Sequence, residues 1–229
     1  MRTRDKIIMT SLELFNEQGE RNVTTNHIAA HMGISPGNLY YHFKNKSEII
    51  FDIYLQYEGL VDTYLRLPQG RALEISDKVN YLTAVFEGLW AFRFLHRDLQ
   101  HLLQSDERLH RRYNAFFQRC LSRTQDIYFG LNQAGIISAS EDEIKALALN
   151  TWIVVTSWFS FLHTNLLVDD TRKESKELLK SGIYQIFSLE RPYLTEPYRE
   201  DVARLAAQFG PSFAQLTGLG MPESSALTE

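Results

Sequence analysis

Apolar residues recur every three or four positions along most of this chain, which is the spacing of amphipathic α-helices. The N-terminal run TRDKIIMTSLELFNEQG places Ile8, Leu12 and Phe15 on one helical face and reaches a stop at Gly19. No stretch shows the alternation of apolar and polar residues that marks a half-buried strand. The pattern therefore predicts an all-α fold.

Two short helices are predicted next, in the stretch NVTTNHIAAHMGISPGNLYYHF. Thr24 or Thr25 can cap the first helix, and Gly33 ends it in the left-handed conformation that glycine tolerates best. Ser35 can cap the second, with Pro36 at a first helical position where no N–H donor is needed. Two helices joined by a short turn with glycine form the helix-turn-helix plan, whose second helix enters the DNA major groove.

The two faces of that second helix differ in chemistry. Leu39 and Phe43 lie four positions apart on one face, which is expected to pack on the core. The opposite face offers hydrogen-bonding groups, with Lys44 and Lys46 just beyond it and no carboxylate. An ordinary solvated face and a DNA-reading face both fit this composition.

Charge supports the DNA-reading interpretation only locally. The chain has 24 basic and 28 acidic residues, a net charge of −4, so its general field does not favour nucleic acid. Residues 21–46, however, contain Arg21, Lys44 and Lys46 and no Asp or Glu. The basic residues of this stretch therefore flank the predicted reading helix.

The segment VTTNHIAAHMGISPGNLYYHFKNKSEII resembles the DNA-binding part of the TetR family of bacterial transcriptional regulators. The shared pattern is T-x-x-x-I-A, then G-I-S-x-G-x-L-Y-x-H-F and a lysine at the start of the next helix, and the likeness covers roughly residues 3–55. It implies an all-α protein with an N-terminal three-helix helix-turn-helix domain and a larger helical bundle that binds a ligand and dimerises. We expect the DNA-binding domain over 1–46, the bundle over 47–220 with a linking helix at 47–66, and a disordered tail over 221–229.

The resemblance also implies which residues touch DNA. Asn38 is expected to read a base, because its amide can pair with an adenine edge, and Gly37 allows close approach of the backbone. The hydroxyl groups at the two helix starts and Lys46 are expected to meet phosphates, as are the tyrosines and the histidine, with thymine methyls a further target for the tyrosines. The full expected set is Thr24, Thr25, Ser35, Gly37, Asn38, Tyr40, Tyr41, His42 and Lys46.

Beyond this domain the apolar spacing predicts further helices. One of them is expected to open at Ser105 as N-cap and to stop at Gly135, and another in the last 36 residues to break near Gly210 and Pro211. The remaining predicted helices lie at 47–66, 72–95, about 99–103, 146–167 and 171–194.

Residues 146–167 carry no charge, and as a helix they would be about 33 Å long, enough to cross a bilayer. Eight of these 22 residues are Asn, Thr, Ser or His, and no cluster of Lys or Arg marks either end. The run therefore favours a helix buried on several sides, partly against a second subunit, over a membrane span. The resemblance implies a homodimer that pairs through the two long helices within about 140–193.

The sequence offers little for catalysis. His27 and His31 have a spacing that could share a metal ion, but no third ligand lies near them, and the other histidines match no metal motif. No nucleophile or phosphate-loop motif is present. We therefore expect a protein that is not an enzyme and has no cofactor or metal. The single cysteine, Cys120, and the lack of a signal peptide favour a cytoplasmic location.

The effector is expected among the aromatic residues of the C-terminal domain, although core packing accounts for many of them. Helical bundles commonly hold ligands between their helices, and few charges lie near these residues, which favours a small, largely apolar molecule such as a fatty acyl or aromatic compound. The expected contacts are Trp90, Phe94, Asn114, Phe117, Thr151, Trp152 and Phe159.

These inferences together predict a repressor that a small ligand releases from a pseudo-palindromic operator in double-stranded DNA. The alternative is a helical-bundle enzyme, or a small-molecule-binding protein, without regulatory DNA binding.

Overall fold

The computed structural model describes residues 2–165 and 176–210, and the only regular elements in that part of the chain are helices and an isolated bridge between Ile137 and Leu194. The all-α prediction is confirmed. Short 3-10 turns lie at Glu20–Asn22, Arg191–Tyr193 and Glu196–Tyr198. The α-helices are α1 Thr3–Gln18, α2 Thr25–His31, α3 Pro36–His42, α4 Lys46–Tyr64, α5 Ile75–Ala91, α6 Arg93–Arg97, α7 Leu99–Ser105, α8 Glu107–Gln133, α9 Glu141–Asn165, α10 Lys176–Glu190 and α11 Arg199–Ala207.

The chain divides into two compact units. The first comprises Met1–Arg71 and Glu87–Ile127, and the second comprises Ala72–Phe86 and Tyr128–Glu229. The expected domain boundary after residue 46 does not coincide with this division, because α4 packs on α1 within the first unit.

The caps of the helix-turn-helix follow the local sequence signals. The Thr24 hydroxyl accepts a hydrogen bond from the His27 N–H at 3.2 Å, and the Ser35 hydroxyl accepts one from the Asn38 N–H at 3.2 Å. Gly33 has a φ of +66°, the left-handed conformation expected at the end of α2. These local groups fix where α2 and α3 begin and end.

The first unit is held together by apolar packing and by ion pairs. Ile8, Phe15 and Leu39 are buried in its core, as the helical spacing predicts. Glu58 on α4 is buried as well, and its carboxylate accepts hydrogen bonds from Arg112, at 2.6 Å, and from Arg119, both on α8. A buried carboxylate is costly unless it is paired, so these arginines fix α4 against α8.

Two helix boundaries differ from the sequence prediction. The helix expected over 72–95 breaks at Phe92, so that α5 ends and α6 begins there. The start of α8 is capped by Asp106 rather than by Ser105, because the Asp106 carboxylate accepts the Leu109 N–H at 3.0 Å, whereas the Ser105 hydroxyl donates to His101 in the preceding helix.

The second unit contains a buried charge pair. Lys78 on α5 donates to the carboxylate of Glu190 at the end of α10, and Tyr128 donates to the same carboxylate. The Tyr128 hydroxyl also lies 2.6 Å from the Thr151 hydroxyl. Burial lowers the pKa of Lys78 to about 7, and the carboxylate beside it favours the charged form.

Helix α9 leaves much of its apolar surface exposed. Leu149, Ile153 and Phe161 are 44–50% exposed, although α9 packs on α10. By length and composition α9 is a helix that could cross a membrane. The predicted last helix is present as α11, whereas Pro211 and the predicted tail at 221–229 lie outside the described residues.

Candidate DNA-binding surface

Helix α3 presents one buried and one exposed face. Leu39 and Phe43 are at most 1% exposed and hold the helix on the first unit. Gly37 and Asn38 are exposed on the other side, and Tyr41 is 86% exposed. A tyrosine of that exposure at the middle of a polar helix face has surface available for a partner, which agrees with the faces predicted from helical spacing.

The start of α2 and the middle of α3 meet through two hydroxyl groups. Thr25 Oγ1 lies 3.0 Å from the Tyr40 hydroxyl, and both side chains remain accessible. Thr24 is exposed beside them, and Ser35 is exposed at the start of α3. Hydroxyl groups can donate while they accept, so this cluster can still offer donors to phosphate oxygens.

Glycine at position 37 leaves the backbone of α3 open. A Cβ atom added there would meet nothing closer than the Ser35 hydroxyl oxygen, at 3.9 Å. The surface around the first turn of α3 is therefore unobstructed on the protein side, as a close approach to another molecule requires.

The end of α3 is fixed by Arg4, a residue that the sequence reading did not single out. Its guanidinium donates to the His42 carbonyl at 2.7 Å, pairs with Asp52 at 2.5 Å and lies 4.1 Å from the centre of the Phe43 ring. His42 itself is half-buried. The signal for Arg4 was only a basic N-terminus, since its partners are about 40 residues away in the sequence.

Lys46 is bound within the protein. Its ammonium donates to the carbonyls of Glu20 and Val23, at 3.0 and 3.1 Å, and lies 2.6 Å from a Glu20 carboxylate oxygen. An ammonium has three hydrogens, and these three acceptors can engage all of them. The expected phosphate contact of Lys46 would therefore compete with this bonding, whereas Lys44 is exposed.

The expected ligand contacts are divided between the two units and differ in accessibility. In the first unit Trp90 and Phe117 are half-buried and Asn114 is exposed, whereas Phe94 has no exposed surface because its ring packs 5.1 Å from that of Phe15. Phe94 is therefore a core residue with no surface to offer a ligand. In the second unit Trp152 is half-buried, and Thr151 and Phe159 are buried.

A groove of about 680 Å³ lies in the second unit, and no pattern in the sequence predicts it. It contains none of the expected ligand contacts. It is formed along α10, α11 and the turns between them by Tyr184, Phe187, Ser188, Arg191, Pro192, Leu194, Arg199, Val202, Ala203, Ala206 and Ala207.

His27, on α2, contacts the turn before its helix. His27 Nδ1 lies 3.2 Å from the Asn22 carbonyl oxygen, so its ring closes the turn before the helix. Across residues 2–165 and 176–210, no group of three or more His, Cys, Asp or Glu side chains is arranged to hold a metal ion.

Comparison with known proteins assigns both parts of the chain. Residues 7–53 match the family described as bacterial regulatory proteins of the tetR family, and residues 56–202 match the family described as bacterial transcriptional repressor, TetR. A crystal structure of a TetR-family transcriptional regulator from Marinobacter aquaeolei is 52% identical, with a TM-score of 0.85, and the match covers 92% of this chain and all of that chain.

Proteins of lower sequence identity also match this chain. An HTH-type transcriptional regulator of Staphylococcus aureus is 27% identical over 74% of this chain and 88% of its own length, and the match to another regulator of that species covers 66% of its length. AibR, crystallised with isovaleryl coenzyme A and operator DNA, shares the fold at a TM-score of 0.58 and 14% identity, over 82% of this chain and 98% of its own. With the repressor family matched over well more than half of its length, this chain belongs to the TetR family and is a DNA-binding transcriptional regulator.

Proposed function

We propose that this regulator is a cytoplasmic repressor that binds a pseudo-palindromic operator as a two-fold dimer and is released by a small ligand. The observation that supports it best is the exposed, carboxylate-free face of α3, with Asn38 and Tyr41 at its centre. Such a face suits the major groove, where side-chain amides read base edges and tyrosine rings contact thymine methyls.

The proposed DNA contacts have different tasks. Asn38 reads a base, and Gly37 lets the backbone approach. The paired hydroxyl groups of Thr25 and Tyr40 hold one phosphate, because the hydrogen bond between them fixes both side chains at one place. The other exposed or half-buried polar groups of this surface, namely Thr24, Ser35 and His42, position the helix on the DNA backbone, and Tyr41 contacts a phosphate or a thymine methyl.

For Lys46 we propose a supporting task. Its bonds to Glu20 and Val23 fix the turn directly before Thr24, and so they hold the start of α2 in place. Lys44, which is exposed beside the end of α3, is the better candidate for a phosphate contact.

The dimer is proposed to form through the exposed side of α9 together with α10. From Ala146 to Asn165 this helix carries no Lys, Arg, Asp or Glu, and its exposed residues include Leu149, Ile153 and Phe161. An apolar face of this length on a soluble protein calls for a partner. A two-fold axis then places two copies of α3 about 34–36 Å apart, one turn of DNA, which requires a palindromic site.

The effector is proposed to be small and largely apolar, of the fatty acyl or aromatic class. Among the expected contacts of the first unit, Trp90 and Phe117 combine aromatic surface with partial exposure, and Asn114 adds an exposed amide. AibR, which shares this fold, was crystallised in complex with isovaleryl coenzyme A and operator DNA.

The first experiment is a gel shift and nuclease footprint with the DNA upstream of the protein's own gene. We expect a salt-sensitive shift and two protected half-sites whose centres lie about one helical turn apart. A single unrepeated half-site would contradict the dimer geometry. The absence of any protected sequence, there or in a random-sequence selection, would favour a small-molecule-binding protein or an enzyme on this fold.

A further inference from the structure

The break between α5 and α6 exposes backbone groups that need partners. Helix α5 ends at Ala91 and α6 begins at Arg93, and Phe92 between them provides no side-chain cap. The last carbonyls of one helix and the first N–H groups of the next have no intrahelical partner. Phe92 and Phe94 are buried, so the groups around them must be satisfied from elsewhere in the fold.

Asn16, in the last turn of α1, satisfies one group on each side of the break. Its side-chain N–H donates to the Ala91 carbonyl at 2.8 Å, and its side-chain oxygen accepts the Phe94 N–H at 3.1 Å. The side chain is buried, so water cannot replace these bonds without movement. One amide group thus caps the end of α5 and the start of α6 at the same time.

The capping is reciprocal. Arg97, in the last turn of α6, donates to the Phe15 carbonyl at 2.8 Å, which lies in the last turn of α1 and also accepts the Gly19 N–H. The rings of Phe15 and Phe94 pack on each other, with centres 5.1 Å apart. Side chains of α1 and α6 therefore bond each other's backbone in both directions.

We propose that this reciprocal cap couples the α5–α6 break to the DNA-reading helices and that Asn16 is its positioning residue, an inference that rests on the proposed repressor function. Helix α1 packs on α2 and on α4, so its position bears on the start of α2 and, through Arg4, on the end of α3. Helix α6 packs on α1, and the two hydrogen bonds of Asn16 fit a single arrangement of the ends of α5 and α6.

The hydrogen bonds of Asn16 couple the position of α1 to the arrangement of the α5–α6 break, which apolar packing alone would not do. Apolar contacts tolerate small sliding movements, whereas an amide that bonds one carbonyl and one N–H fits a single arrangement of the two helix ends. An effector that favours another arrangement of the break must open this cap or move α1 with it. The signal therefore has a route to the reading helices besides the linking helix α4.

Coupling of this kind is reciprocal, so it can be tested without the effector. Hydrogen exchange of the full-length protein is measured with and without an operator duplex obtained by footprinting. In the wild type, operator DNA should slow exchange at the amides of Phe94 and its neighbours on α6 by about fivefold or more, the lower limit of typical couplings. The comparison variants are Asn16→Leu, which removes both bonds, and Arg97→Met, which leaves Asn16 in place.

In both variants the operator-dependent slowing on α6 should fall below about twofold, while the operator still binds and protects α3. Arg204→Met, which removes an exposed arginine from α11, is the control and should behave as the wild type. If Asn16→Leu does not fold, Arg97→Met and the wild type still decide. Operator binding without any response of α6 in the wild type, or with an undiminished response in the variants, would overturn the coupling alone. Failure to find an operator at all would overturn the repressor function with it.

Discussion

The Lys46 ammonium lies 2.6 Å from a carboxylate oxygen of Glu20, a residue that is 4% exposed. The other carboxylate oxygen of Glu20 is buried with no hydrogen-bond partner among the described atoms. The charge of Glu20 thus depends on Lys46, and the pair stands directly before the start of α2. Lys46 therefore stabilises the helix-turn-helix by pairing with a buried carboxylate.

Replacement of Lys46 separates this supporting task from a phosphate contact. Lys46→Met leaves Glu20 buried and unpaired, so we expect a loss of about 2 kcal/mol in the free energy of unfolding, measured with urea. Operator affinity should fall as α2 loosens, but the slope of log affinity against log salt should stay unchanged, because no phosphate contact is removed.

The double variant Lys46→Met/Glu20→Gln provides the matched control, because it removes both charges of the pair. It should recover much of the lost stability and operator affinity. A salt slope that drops by about one unit in Lys46→Met would instead assign the lysine to a phosphate.

Base reading and phosphate binding are expected to separate at Asn38 and Lys44. Asn38→Ala should cost about 1–3 kcal/mol at the best operator and relax preference at one base position in each half-site. Lys44→Ala should weaken binding to all sequences alike and reduce the salt slope by about one unit. Binding to a set of single-base operator variants at several salt concentrations measures both effects. Equal losses on operator and random DNA for Asn38→Ala would remove Asn38 from the base-reading set.

Acid should destabilise the first unit through His96. Burial lowers the pKa of His96 from 6.5 to about 4, and its ring packs 5.2 Å from that of Tyr57 on α4. The folded state therefore binds this proton less tightly than the unfolded chain. The contribution to stability is complete above pH 6.5 and is lost as the pH falls towards 4, by about 2 kcal/mol between pH 7 and pH 5.

The measurement is urea unfolding of the wild type and of His96→Gln across that pH range. Between pH 7 and pH 5 the free energy of unfolding should fall by about 2 kcal/mol more in the wild type than in the variant, whatever the absolute stability of the variant. His101→Gln, at an exposed position on α7, should follow the wild type. Parallel pH profiles for the wild type and His96→Gln would show that this histidine is not the acid-sensitive group.

The sequence predicts features whose interacting residues are close together in the chain, and it misses those whose partners are far apart. The bounds of α2 and α3 follow from Thr24, Gly33 and Ser35, whose partners lie within a few residues, and the family pattern adds the DNA-facing set. The break at Phe92 was missed because Asn16, about 75 residues earlier, satisfies the groups that the break exposes. A side chain that bonds backbone groups so far away leaves no periodic signal.

Lys46 and the ligand contacts illustrate the same limit. The acceptors of Lys46 include two backbone carbonyls, which every residue has, so the sequence does not distinguish this lysine from a free one. Aromatic composition marked Phe94 for a ligand, but tertiary packing places it on Phe15. For α9, the lack of charge predicted burial on more than one side, while its packing on α10 decides which side remains exposed.

The exposed side of α9 leads to a prediction about dimerisation. Ile153 is 50% exposed at the middle of the uncharged stretch, and in a two-fold dimer it would lie near the axis of the interface. Ile153→Glu places two like charges in an apolar contact, where each lacks a partner. We expect the variant to run as a monomer at micromolar concentration in light scattering, where the wild type is a dimer, and to retain its helical circular dichroism.

The free energy of operator binding should then fall by much more than the free energy of unfolding. A monomer binds only one half-site, whereas in a dimer the second half-site is bound intramolecularly. Gln118→Glu, at an exposed position on α8, introduces the same charge on a different helix and should remain dimeric with normal operator affinity. The apolar side of α9 could alternatively face lipid, since its length allows a membrane span. In that case the wild type would sediment with membranes and Ile153→Glu would release it, whereas a dimer face predicts that both remain in the soluble fraction and differ only in mass.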